Sequence, residues 1–240
     1  MLMKNINELK IKIFADGANL DEIEDMNSRS YISGLTTNPS LMRKAGVEDY
    51  VKFCKEILGV VREKPISFEV FADEFSEMER QARVIASWGE NVYVKIPITN
   101  SRGISSLGLI KRLTSDGVKV NVTAMMTLEQ VEGVIGNLNP QIPSNISIFA
   151  GRIADTGRDP VVTMQKTIDL IQLNPLCELI WASTRELFNI YQADSIGCHI
   201  ITVTPDIINK FSVIGFSLEQ YSLETVKMFH RDALSAGYKL

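Results

Sequence analysis

A lysine stands inside an apolar, strand-like run, Asn91-Val92-Tyr93-Val94-Lys95-Ile96-Pro97. Alternation puts Val92, Val94 and Ile96 on one face and Tyr93 with Lys95 on the other. The run therefore predicts a strand covered on at least one side, with the Lys95 ammonium drawn inside the protein. An amine held out of water disfavours its charged form, and a free amine adds to a carbonyl to give a Schiff base. Cleaving a carbon–carbon bond beside that iminium needs a base for a hydroxyl proton, and Asp16 suits this role. Making and hydrolysing the iminium needs a second acid/base acting through water. Glu69 suits that role, with Thr123 to position the water. Asn38 can bond a substrate hydroxyl. Arg152 and Arg185, each with a serine nearby, resemble a clamp for a phosphate monoester. Taken singly, each residue has an ordinary alternative: an edge or paired lysine, a surface ion pair, a strand-end cap.

The elements that would position these groups alternate along the chain. Short apolar runs predict strands over Ile11–Asp16, Ile32–Asn38, Ile66–Phe71, Val92–Pro97, Val118–Ala124, Ile146–Ala150, Glu178–Ser183 and His199–Val203. Helical patterns fall between them, at Asp21–Ser28, Tyr50–Val61, Glu77–Trp88, Ser105–Ser115, Leu128–Leu138, Val161–Ile171 and Glu186–Ala193. The region from Asp206 to Ala236 reads as two or more helices with a break near Gly215. Eight strands each followed by a helix predict a parallel sheet with right-handed crossovers, and at this length a single-domain (β/α)8 TIM barrel over 1–240. An open doubly wound sheet is the competing arrangement. Its glycine fingerprint is missing after the first strand, where the chain reads Asp16-Gly17-Ala18-Asn19.

In such a barrel chemistry gathers where the strands end. The residues least suited to a packed strand do fall there: Asp16 on the first strand, Thr36-Thr37-Asn38 on the second, Glu69 on the third and Lys95 on the fourth. The fifth carries Asn121 and Thr123, the sixth Ser147 and Phe149 with Arg152 behind, the seventh Ser183 with Arg185 behind. Thr36 and Asn38 share a face by period two, as do Asn121 and Thr123, and Ser147 and Phe149. Jointly, with a lysine and two carboxylates among them, these groups read as one active site at one barrel mouth.

Composition narrows the chemistry. The chain has 240 residues, 45% apolar and 22% charged, with a net charge of −4. That charge offers no broad basic surface for nucleic acid, so a phosphate must be held by local cations. The two histidines, His199 and His230, lie far apart in sequence, which leaves no multi-histidine metal site within one chain; a carboxylate-only magnesium site stays open, though nothing points to one. Cys54, Cys177 and Cys198 lack a close Cys-x-x-Cys pairing and read as reduced thiols of a cytoplasmic protein. Met1 to Lys10 lacks the apolar core of a signal peptide, and no apolar stretch approaches the ~20 residues that span a bilayer, so no membrane partner is expected.

The same residues carry a resemblance. Phe14-Ala15-Asp16-Gly17-Ala18-Asn19, Gly34-Leu35-Thr36-Thr37-Asn38-Pro39-Ser40, Ser67-Phe68-Glu69-Val70, Val94-Lys95-Ile96-Pro97, Asn121-Val122-Thr123, Gly151-Arg152 and Ala182-Ser183 are similar, in order and spacing, to the transaldolases, which include fructose-6-phosphate aldolase. The resemblance implies that Lys95 is the Schiff-base lysine, Asp16 the proton shuttle, and Glu69 with Thr123 the pair that handles water. It implies that Asn38 contacts the bound intermediate, that Ser183 shares that role or touches the phosphate side, and that Ser147, Arg152 and Arg185 hold a sugar phosphate. The reaction implied is transfer of a dihydroxyacetone unit from a ketose phosphate to an aldose phosphate, with no metal and no organic cofactor. The short subfamily resembled here assembles through C-terminal helices, which implies a homo-oligomer, a pentamer or decamer or a dimer, using 206–240. Fructose-6-phosphate aldolases carry glutamine where Glu69 stands and tyrosine where Phe149 stands, so both positions resemble the transaldolase branch. Gly17, Ile148, Ala124-Met125-Met126 and Thr184-Arg185 depart from the usual pattern at the pocket walls, which leaves another ketose as an alternative substrate. A third alternative is a catalytically inactive sugar-phosphate-binding barrel.

Overall fold

Eight strands pair in sequence order, all in parallel, and the eighth closes back on the first. In this computed structural model, which describes residues 5–240, they are β1 Lys12–Asp16, β2 Ile32–Thr36, β3 Ile66–Glu69, β4 Val92–Pro97, β5 Val120–Met125, β6 Ser144–Ile148, β7 Cys177–Trp181 and β8 Ile200–Val203. Residues 1–4 of the polar N-terminal stretch lie outside the described residues. Helices follow each strand and shield the sheet, so the strands are apolar on their outer face as well as partly within. Val94 and Ile96 of β4 and Val120 and Val122 of β5 are fully buried in this outer layer, with Met78, Ala82, Ile110 and Leu113 of the helices.

The barrel interior is divided. Toward β7, β8 and β1 it is apolar, built from Phe14, Ile180, Ala182 and Ile200 with Phe149 at its edge. Phe14 fills the space in front of Gly34: a Cβ there would lie 2.4 Å from the phenyl ring. Toward β3, β5 and β6 the interior is polar. Asn121 Nδ2 donates to Ser67 Oγ at 3.0 Å, and Ser147 Oγ donates to Asn121 Oδ1 at 2.7 Å. All three side chains are buried, so each polar group needs such a partner.

Several strands end earlier than their sequence patterns predict, and two short helices take up the difference. The second strand stops at Thr36, and Pro39–Lys44 is a helix whose first turn is capped by Asn38, its Oδ1 accepting from Leu41 N at 3.0 Å. An asparagine followed by proline is a helix start, with the ring preset for the first helical position. The sixth strand spans Ser144–Ile148 rather than reaching Ala150, because Ala150–Asp155 forms a six-residue helix. It is too short to show a helical period. The break at Gly215 is present, with φ +80°, and separates the turns at Pro205–Ile208 and Asn209–Val213 from a helix over Leu218–Ala236. That last helix buries no side chain, and Leu218, Leu223, Val226, Phe229 and Leu234 are exposed along it. Among the described residues no helix is long and apolar enough to cross a membrane.

Candidate active site

Sheet register brings the charged groups together. Glu69 pairs with Lys95 across β3 and β4, Lys95 with Asn121 across β4 and β5, and Asp16 with Thr36 across β1 and β2. Side chains from these positions line a cavity of about 540 Å³ at the C-terminal mouth of the barrel. Lys95, Asp16, Glu69, Thr123, Asn38, Thr36, Ser147, Phe149, Arg152, Ser183 and Arg185 all contribute to its walls. The groups singled out in the sequence thus share one space.

Lys95 is the centre of its floor. Its Nζ lies 3.2 Å from Glu69 Oε2 and donates to the carbonyl of Thr37 at 2.9 Å. The side chain is 8% exposed and that of Glu69 18%, so the amine is desolvated but reachable from the cavity. Tyr50 steadies the Glu69 backbone, its hydroxyl donating to the Glu69 carbonyl at 2.7 Å. Asp16 is half-buried and accepts from Thr36 Oγ1 at 2.8 Å. Burial pushes its carboxyl above the ordinary value; Lys95 and the Thr36 hydroxyl pull it down, and Glu69 pushes it up. Thr123 is buried, and its hydroxyl has no hydrogen-bond partner in the protein. It sits beside Lys95 on the cavity wall. Such a hydroxyl suits a water or a substrate oxygen.

The other wall is built on loops. Arg152 lies on the Ala150–Asp155 helix, its guanidinium carbon 5.2 Å from the centroid of the Phe149 ring. Arg185 follows Ser183 and is held on its Nε edge by Asp155: Nε bonds Oδ1 at 3.1 Å, and Nη2 forms a short contact with Oδ2. A chain crossing fixes this region. A Cβ at Gly151 would lie 1.7 Å from the Ser183 carbonyl oxygen, so only glycine lets the two backbones approach. Ser183 itself has φ +63°, a left-handed conformation unusual for a residue with a side chain. Ser147 lies deeper and spends its proton on Asn121, away from the arginine loops. Asn38 lines the cavity while capping its helix.

Three further wall residues, and one residue that holds a wall arginine, were missed by the sequence reading. Thr202 and Thr204 come from the end of β8 and just beyond, and Lys44 from the short second helix. Asp155, paired with Arg185, sits at the end of the other short helix. Thr202 was detectable by the rule that exposed Asn121 and Thr123, since it interrupts Ile200-Ile201-Val203 at the mouth end. Lys44 and Asp155 lie on helices too short to signal themselves. Among the described residues no group of three or more His, Cys, Asp and Glu side chains is placed to hold a metal ion.

A closed parallel barrel with a buried lysine and two carboxylates at its C-terminal mouth defines an aldolase-type enzyme site. The sequence profile of the transaldolase/fructose-6-phosphate aldolase family matches residues 13–237, and the chain belongs to that family. It is 33% identical over 233 residues to the "Probable transaldolase" of Thermoanaerobacter sp. (strain X514), covering 96% of this chain and 100% of that protein. It is also 33% identical over 204 residues to "Probable transaldolase 2" of Listeria monocytogenes serovar 1/2a (strain ATCC BAA-679 / EGD-e), covering 83% of this chain and 88% of that one. In fold it is similar to the crystal structure of KGPDC from Streptococcus mutans, with a TM-score of 0.59 at 9% identity over 84% of this chain and 91% of that one. The protein is thus a transaldolase-type enzyme.

Proposed function

We propose that the protein is a class I transaldolase that moves a dihydroxyacetone unit from a ketose phosphate, such as sedoheptulose 7-phosphate or fructose 6-phosphate, to an aldose phosphate. One observation carries this reading: Lys95 Nζ is desolvated at the cavity floor, 3.2 Å from Glu69, with Asp16 on the same floor. Lys95 adds to the ketose carbonyl, and loss of water gives an iminium. Asp16 takes the C4 hydroxyl proton as the C3–C4 bond breaks; the bond electrons pass to the iminium nitrogen, leaving an enamine and a free aldose. The acceptor reverses these steps. Glu69 and the unpartnered Thr123 hydroxyl suit the water that enters and leaves at Lys95. Asn38, Thr36 and Ser183 are suited to the hydroxyls of the bound unit. Ser147, Phe149, Arg152 and Arg185 would line the path of the acceptor and its phosphate, the guanidiniums matching phosphate geometry.

Borohydride reduction in the presence of fructose 6-phosphate, followed by peptide mass analysis, tests the reading. A stable three-carbon adduct on Lys95 is expected. No adduct, together with intact activity in Lys95→Ala, overturns it. Phe149 places no hydroxyl beside the intermediate, so transfer should exceed release to water. Release of glyceraldehyde 3-phosphate without an acceptor at a rate near that of transfer would contradict this. A second reading, an aldolase for another ketose, is favoured by Ala124 and Thr184, which depart from the family pattern and line the cavity; a donor panel separates the two. The reading includes a cytoplasmic enzyme of pentose phosphate sugar metabolism. It also includes a homo-oligomer docked through the Leu218–Ala236 helix, whose apolar side chains are uncovered in one chain. Light scattering of the full chain against one shortened before Ser217 checks that point.

A further inference from the structure

Three oxygens form a line across β8, β2 and β1 in the cavity wall. Thr202 Oγ1 lies 2.6 Å from Thr36 Oγ1, and Thr36 Oγ1 donates to Asp16 Oδ1 at 2.8 Å. Both threonines are buried, with only a small part of each exposed at the cavity wall. A hydroxyl carries one proton. When Asp16 is ionised, the Thr36 proton points at the carboxylate, and the proton in the Thr202–Thr36 contact must come from Thr202. The direction of donation is therefore fixed: Thr202 to Thr36 to Asp16. Chains of this kind strengthen each bond, because a hydroxyl that accepts a hydrogen bond donates a better one.

The backbone holds this line in place. Thr202 pairs with Phe14 in the β1–β8 ladder, and Thr36 pairs with Asp16 in the β1–β2 ladder. Thr184 Oγ1 donates to the Thr202 carbonyl at 2.7 Å, tying the end of β8 to the loop after β7. We propose that Thr202 is a positioning residue for Asp16, acting through Thr36 to fix the carboxylate with Oδ1 engaged and Oδ2 left for the substrate proton. In the cleavage step the C4 hydroxyl proton moves to Oδ2 while the Thr36 bond to Oδ1 persists. This role rests on the Schiff-base reading above.

The charged groups facing Asp16 are Lys95 from β4 and Glu69 from β3, with Thr36 from β2 as the hydrogen-bond donor. Lys44, Arg152 and Arg185 also line the cavity. Against that fixed background, Thr202→Val removes one proton from the line and changes no charge.

The test has two arms. The first needs no activity: a double-mutant cycle of Thr202→Val and Asp16→Asn, read by denaturant midpoint at alkaline pH and again in acid. Thr202→Val should destabilise the wild-type background more than the Asp16→Asn background, and that excess should shrink as Asp16 becomes protonated. Additive effects at both pH values overturn the proposal. The second arm reads kinetics. Thr202→Val should lower kcat about 10-fold, the size of one hydrogen bond, and move the acid limb of the kcat profile to higher pH. Thr202→Ser should restore both, and borohydride trapping of dihydroxyacetone on Lys95 should be unchanged. If Thr202→Val raises KM alone, or Thr202→Ser fails to rescue, the positioning role is overturned. If the wild type traps no adduct at all, the Schiff-base reading fails, while the stability cycle still decides whether Thr202 serves the carboxylate.

Discussion

On the β1–β5 side of the cavity, Asp16, Glu69 and Lys95 sit within strands, and their spacing follows from sheet register. On the β6–β7 side, Arg152 sits on a six-residue helix and Arg185 in the loop after β7, and their spacing follows from two backbones crossing at Gly151. The Lys95–Glu69 pair is 8% and 18% exposed, whereas Arg185 and Asp155 are 49% and 53% exposed. The same chemical contact therefore does different work on the two sides. A pair shielded from water is costly to break, because the remaining charge is stranded. A pair at the surface is screened and contributes little. On the function proposed above, bond-making falls where geometry is rigid and charges are strongly felt, and phosphate recognition falls where a ligand can arrive and leave.

The largest effect that follows is at Lys95. Lys95→Met removes the nucleophile and should lower transfer activity by at least about 10⁴-fold. It also strands Glu69, at a cost of about 3–5 kcal/mol. Lys95→Met/Glu69→Gln should regain most of that stability in a denaturant titration while remaining inactive. If the double variant is no more stable than the single one, the pair is not the desolvated unit that separates the two sides.

Asp16→Asn comes next and should move stability and activity in opposite directions. Loss of the base should reduce kcat by about 10²–10⁴-fold. The folded-state pKa of Asp16 is raised, chiefly by burial, so its stability contribution is full below the unfolded pKa and is lost as pH rises through the folded pKa. At alkaline pH, above the raised pKa, the wild type thus carries a destabilising charge that the amide lacks, and Asp16→Asn should melt higher. The gap should close as pH falls through the raised pKa toward the unfolded value. A variant that melts lower at alkaline pH would show that the pull of Lys95 and Thr36 exceeds the push of burial.

The same contrast explains what could be read from the sequence. Barrel order and the strand-borne groups were legible because alternation in a strand is a strict rule: a lysine between Val94 and Ile96 has only one place to point. Thr202 obeys that rule too, although its partners come from strands 166 and 186 residues away in the chain: Thr36 by hydrogen bond and, through Thr36, Asp16. The loop side gave weaker signals. Arg152 and Arg185 were visible as cations, but the helix that aims the first and the carboxylate that holds the second were not. Ala150-Gly151-Arg152-Ile153-Ala154-Asp155 spans less than two turns, so no periodicity can emerge. The need for glycine at position 151 comes from a carbonyl 32 residues later in the chain, and local sequence carries no trace of it.

Gly151→Ala tests whether crossing backbones do for the arginine side what register does for the lysine side. The new methyl meets the Ser183 carbonyl, and relief requires moving the segment that carries both Ser183 and Arg185. A destabilisation of about 1–3 kcal/mol is expected, as for overpacking in a filled interior. KM for a phosphorylated donor should rise more than KM for dihydroxyacetone, and borohydride should still trap an adduct on Lys95. Equal losses for both donors would mean that the disturbance crosses the cavity, and that the two sides are not mechanically separate.

The smallest effect is expected from the same substitution as at Asp16, carboxylate to amide, made at Asp155. The amide keeps an acceptor for Arg185 but removes one negative charge from the arginine side. Because both partners are half exposed, the melting temperature should shift by no more than about 2–4 °C, the scale of a surface pair in a chain of this size. A phosphorylated donor should bind somewhat better, with KM falling by up to about fivefold at low salt and the gain fading as salt screens the site. kcat and dihydroxyacetone turnover should stay near wild type. A KM that rises instead would mean that Asp155 orients Arg185 more than it neutralises it. The arginine side would then resemble the lysine side, with a carboxylate valued for the geometry it imposes.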